Sequence, residues 1–118
     1  MDPIPGEYLR FIVKNITTPP YEPEIVVPSY ERLINDGTDG IDMVLITCEI
    51  ARFILKHIAS MEASWALELR LKWEKIVDAE QTLYPCPDSV LMILVVEAFK
   101  DGETVARELV GGDHGSSD

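Results

Sequence analysis

Cysteine and histidine carry the most reactive side chains, and this sequence contains two of each: Cys48, Cys86, His57 and His114. A structural zinc site needs such ligands in close pairs, whereas these four are spread along the chain. Cys48 and His57 fall on opposite faces of one predicted helix, so they cannot form a catalytic pair. Cys48 also lies within an apolar face, where a free cysteine usually acts as a small hydrophobic residue. The spacing therefore predicts neither a metal site nor a cysteine nucleophile.

The histidines and one pair of carboxylates are the other candidates for acid–base chemistry. His57 follows Lys56 near the end of the predicted helix, so we expect a solvated ring that the helix dipole favours. His114 lies in a glycine-rich tail that cannot hold it in a catalytic geometry. Glu74 and Asp78 are one helical turn apart, a spacing that can bind a cation or divide acid and base roles. With no facing helix known to add ligands, we expect them to be solvated charges.

Motifs that bind phosphates or cofactors are missing. The chain contains no GxxxxGK[ST] or GxGxxG pattern and no GxSxG nucleophile turn. The Gly111–Gly112 pair lies in the polar tail and opens no predicted helix. We therefore expect no cofactor and no metal, and we expect that the chain is not an enzyme.

The acidic composition constrains the class of partner. There are 21 acidic residues against 10 basic ones, for a formal net charge of -11. Such a field repels nucleic acid and anionic membranes, and it attracts basic surfaces. We expect the partner to be another protein with a basic surface, with neither nucleic acid nor membrane bound. The alternative is that the charge only confers solubility.

A weak resemblance to a DNA-binding motif lies near the C-terminus. Residues 102–112 resemble, over about ten positions, the first helix and turn of helix-turn-helix proteins. Alanine and leucine at these positions are common in any packed helix. A recognition helix also needs basic residues, and Lys100 and Arg107 stand here among acidic neighbours. A DNA-binding regulator is therefore the less favoured interpretation.

The two tryptophans are the strongest candidates for an aromatic anchor. Trp65 and Trp73 lie two turns apart on one face of a predicted helix, where they serve either as binding hot spots or as core residues. Acidic residues cluster on the same helix and before the preceding one. The predicted partner-binding residues are Trp65, Trp73, Glu68, Glu74, Asp78, Asp36, Asp39 and Asp42.

These side chains depend on a helical hairpin for their positions. From Ile41 to Tyr84 the chain has neither glycine nor proline, and apolar residues recur with the helical period on most sides of its first half. One helix of that length does not fit a compact domain of this size. We predict a break at Ala59–Ala63 with Ser60 as N-cap, and a second helix over Met61–Ala79. A Glu68–Lys72 ion pair is predicted on its outer side.

Prolines dominate the N-terminal segment, residues 1–28. A short helix is predicted over Gly6–Ile16, with a strand as the alternative because β-branched residues are frequent there. Thr17–Glu24 is predicted to be extended, since a proline disfavours helix at the residue before it. Ser29 is predicted to cap a short helix over Tyr30–Asn35, which Asp36–Gly37 ends.

The C-terminal region permits two interpretations. Asp88 or Ser89 caps an apolar element over Val90–Phe99, which is predicted to end at Asp101–Gly102. That pair is either the turn of a β-hairpin or a link between two short helices. Helices are favoured because Glu103 and Arg107 then pair one turn apart.

Together these patterns predict a mainly α protein: a small helical bundle around a central helical hairpin, with a possible short β-hairpin at a terminus. Residues 1–110 are predicted to form one domain on which residues 1–28 pack, and residues 111–118 a flexible tail. The N-terminus lacks the basic start of a secretory signal and the cysteines are too few for a disulfide framework, so we expect an intracellular location.

For function we predict a small non-catalytic inhibitor or accessory factor, such as an immunity protein or a phage or viral antagonist of a host factor. It would occlude a basic surface of its target. The alternative is a regulatory or structural protein that forms homodimers through the apolar surplus of the first long helix.

Overall fold

The computed structural model describes residues 4–16, 23–37 and 42–115, with residues 23–26, 29 and 111–115 described by their backbone alone. Its described part is mainly helical and contains no strand. The mainly α prediction is therefore confirmed. The helices are α1 Gly6–Lys14, α2 Pro23–Asp36, α3 Met43–Ile58, α4 Ser64–Asp78, α5 Glu80–Leu83 and α6 Asp88–Gly115.

Helix α3 is the centre of the bundle, and α1, α4, α5 and α6 all pack against it. It begins where the Asp42 side chain accepts a hydrogen bond from the Leu45 N–H at 3.0 Å, which satisfies one of the free amides at a helix start. Basic Lys56 and His57 lie in its last turn, at the negative end of the helix dipole. Most of its side chains are buried, as expected of a helix that is apolar on nearly all sides.

The central hairpin forms where the sequence predicted it. Helix α3 ends at Ile58 and α4 begins at Ser64, so the break covers the predicted segment Ala59–Ala63. The predicted cap was wrong, because Ala63 occupies the N-cap position and Ser60 lies in the preceding turn. Alanine has no side-chain acceptor, so α4 begins without the hydrogen bond that serine would supply.

The predicted end of a helix at Asp101–Gly102 was wrong. Helix α6 is one helix of 28 residues that runs through this pair, so it is neither a hairpin nor two short helices. The reason lies in its tertiary contacts. A Cβ atom on Gly102 would lie 3.0 Å from Ile50 Cγ2 and 3.2 Å from Ile12 Cδ1. The glycine therefore allows the close approach of α6 to α3 and α1, and this packing offsets its low helix propensity of about 1 kcal/mol relative to alanine.

The same helix extends into the predicted tail. Its backbone is helical as far as Gly115, which includes part of residues 111–118. The remainder of that predicted tail, residues 116–118, lies outside the described residues.

In the N-terminal segment, α1 adopts the favoured helix rather than the strand. Helix α2 begins at Pro23, earlier than predicted, so Ser29 lies within it and does not cap it. The extended conformation predicted for Thr17–Glu24 is wrong at its end, where Pro23 and Glu24 are helical; residues 17–22 lie outside the described residues. As predicted, α2 stops at Gly37, whose φ of 98° is in the left-handed region that glycine favours.

The N-terminal helices close one side of the core through aromatic contacts. The Tyr30 ring of α2 lies 4.3 Å from the Phe99 ring of α6, measured between centroids. The Tyr30 hydroxyl also accepts a hydrogen bond from the Ile4 N–H at 3.2 Å. Phe11 of α1 meets Phe53 of α3 edge to face, with centroids 6.3 Å apart. These contacts hold residues before α3 against the bundle.

Candidate protein-binding surface

Trp73, one of the two predicted anchors, is a core residue. Its side chain is 0% exposed, and its indole Nε1–H donates to Asp101 Oδ2 at 2.9 Å. Trp65 is half-buried and packs against the edge of the core. A ring that is fully enclosed has no surface to present to a partner, so Trp73 takes no part in the candidate surface.

An ion-pair cluster joins α4 to α6 beside Trp73. Lys72 Nζ lies 2.8 Å from Glu97 Oε2 and 2.9 Å from Asp101 Oδ2. Burial lowers the pKa of Lys72, but the hydrogen bonds to these two carboxylates outweigh it, so the pKa is raised above its ordinary value. Lys72 therefore pairs with carboxylates of another helix. The predicted ion pair between Lys72 and Glu68 was wrong. The two carboxylates share one ammonium group, which leaves this cluster with a net negative charge.

Five of the six predicted acidic residues are described by the structure, and these five are exposed but lie on different elements. Glu68, Glu74 and Asp78 are on α4, and Asp36 is at the end of α2. Asp42, also exposed, caps α3 and so has a structural role. The sixth predicted acid, Asp39, lies outside the described residues.

A hollow of about 510 Å³ lies beside α4, where Glu74 and Asp78 share its lining with Lys75, Leu55, Leu71 and Val77. Glu74 also lies 3.6 Å from Arg70 Nε on the same helix. Within the described ranges no three histidine, cysteine or acidic residues are grouped to hold a metal ion. Glu74 and Asp78 therefore lie at the surface beside a lysine and apolar side chains.

Cys48 is buried and chemically quiet. It is 0% exposed, and burial, followed by the nearby charge of Glu80, raises the pKa of its thiol to about 11. The thiolate is the nucleophile, so at neutral pH this side chain is an apolar core group, as the sequence predicted. Beside it, the Arg52 guanidinium donates to the buried Glu49 at 2.6 Å and also to Glu80. Because Glu80 lies on α5, the second contact ties α5 to α3.

His57 differs from the solvated residue that the sequence predicted. Its ring is partly buried, with its centroid 4.8 Å from that of Phe53, and its Nε2 atom is enclosed without a hydrogen-bond partner among the described residues. Burial, and secondarily the charge of Lys56, lowers the pKa of His57 below 6.5. The helix dipole at the end of α3 favours the protonated ring, but the loss of water around the ring has the larger effect and lowers the pKa.

This burial predicts a pH dependence of stability. Above pH 6.5 the ring is mainly neutral in both the folded and the unfolded chain. Below pH 6.5 the unfolded chain binds a proton more readily than the folded chain, so the free energy of unfolding falls as the pH falls. We expect His57→Phe to remove this component, so that the stability of the variant relative to the wild type rises as the pH falls from about 8 to about 5. Urea unfolding of both proteins across this range measures it. A constant difference at every pH would contradict the prediction.

The apolar run Val90–Val96 contains none of the predicted partner-binding residues. Helix α6 turns Leu91 and Val95 into the core, while Val90 is 43% and Ile93 62% exposed. One side of this run borders a hollow of about 400 Å³. The residues that line it, which we call the α6 face, are Ser89, Met92, Ile93, Val96 and Glu97.

A signal for the α6 face was present in the sequence. A helix that packs on one side needs apolar residues only at steps of three and four, whereas Val90–Val96 is apolar at every position. The surplus side chains must either be buried by further elements or remain at the surface. The structure leaves Val90 and Ile93 exposed and the others half-buried or buried, and exposed apolar side chains of this size are available for contact with another molecule.

Comparison of this chain with protein-family models, curated proteins and solved structures gave no match. In the described part of the chain, no helix has both the length and the apolar character needed to cross a bilayer. The α6 face therefore stands as the candidate site on its own geometry.

Proposed function

We propose that this chain is a non-catalytic protein-binding protein, an inhibitor or accessory factor that covers a basic surface of another protein. The observation that carries the proposal is the α6 face, a row of apolar side chains left at the surface of a strongly acidic chain. Exposed apolar rows of this kind are typical of protein interfaces. Apolar burial would supply affinity there, while the surrounding charge would select the partner.

Electrostatics would govern how the complex forms. A net charge of -11 attracts a basic surface over distances of about a Debye length, which speeds association at low salt and weakens as salt rises. The same field disfavours nucleic acid and anionic lipid as partners. Immunity proteins and phage or viral antagonists of host factors are the classes that this mode of action suggests, with an intracellular site of action.

Self-assembly is the alternative function, but the observation from which it was predicted supports it less well in the structure. It was predicted from the apolar surplus around the first long helix, and that helix, α3, is covered on most sides by α1, α4 and α6 of the same chain. What now favours a homodimer is the α6 face alone. Two copies would have to bring surfaces of equal negative charge together, which opposes association.

Affinity capture tests the proposed function. Tagged protein is incubated with lysate of its native host, and retained proteins are eluted from about 0.05 to about 0.5 M salt. We expect one basic protein in stoichiometric amount that leaves as the salt concentration rises, and a monomeric mass for the bait alone. Retention of no protein, together with a dimeric mass for the bait by light scattering, would instead support self-assembly.

A further inference from the structure

We draw no further inference here: the strongest candidate, the apolar surface patch on α6 that forms the α6 face, is lined by residues of that one helix alone, and nothing in the described part of the structure shows what covers it.

Discussion

Replacing Trp73 with alanine is expected to lower the free energy of unfolding by about 3–5 kcal/mol. The indole is 0% exposed between α4 and the core, so its removal leaves a large cavity that the surrounding helices cannot fill. The substitution also removes the Nε1–H that donates to Asp101 Oδ2. Asp101 keeps its contact with Lys72, so the cavity dominates the loss. Urea unfolding followed by circular dichroism measures the effect.

Two controls make the Trp73 result specific. Trp73→Phe keeps an aromatic ring and loses the N–H donor, so it should lower the free energy of unfolding less than Trp73→Ala does. If the alanine variant does not fold, the phenylalanine variant should still fold and provide the measurement. Trp65→Ala removes a ring of the same type that is only half-buried, and its cost should be clearly smaller. Equal losses at the two tryptophans would contradict the core role assigned to Trp73.

Gly102→Leu is expected to destabilise the fold by about 3 kcal/mol. A Cβ atom at this position already approaches Ile50 Cγ2 to 3.0 Å and Ile12 Cδ1 to 3.2 Å, and a leucine side chain needs further space in the same direction. Helix α6 must then move away from α3 and α1. The higher helix propensity of leucine recovers only about 1 kcal/mol of this cost.

Gly6→Leu is the matched control for this substitution. Gly6 begins α1, and no atom lies within 4 Å of the position its Cβ would take. The change should therefore alter the free energy of unfolding by no more than about 0.5 kcal/mol. Thermal and urea unfolding of both variants give the comparison. If Gly102→Leu proved as stable as Gly6→Leu, the close helix contact at Gly102 would be refuted.

The structure separates residues that maintain the fold from those available to a partner. Trp73 belongs to the first group, as does Asp42 through its cap on α3. Glu68, Glu74 and Asp78 stay exposed on α4, where they contribute to the negative field without forming one pocket with the acids of other elements. The exposed apolar side chains of the proposed binding surface are on α6. Variants at Ile93 can therefore test binding without the loss of stability that Trp73 variants cause.

The candidate surface was only partly predictable from the sequence. Composition alone predicts a negative field, since it depends on the number of charged residues. Which apolar side chains remain exposed depends on which helices cover them. An apolar element was predicted over Val90–Phe99, but the sequence pattern does not determine that α6 turns Leu91 and Val95 inward and leaves Ile93 outside. Trp73 was ambiguous for the same reason.

The sequence by itself determined the two central helices and the position of the break between them. The apolar period and the lack of glycine and proline predict α3 and α4, with their break at residues 59–63, because these signals act between residues close in the chain. Only the tertiary structure decided the role of Asp101–Gly102. The pair has the local preference of a turn, yet Asp101 accepts hydrogen bonds from α4, and Gly102 admits Ile50 and Ile12. These contacts, distant in sequence, outweigh about 1 kcal/mol of local preference, so α6 continues as one helix.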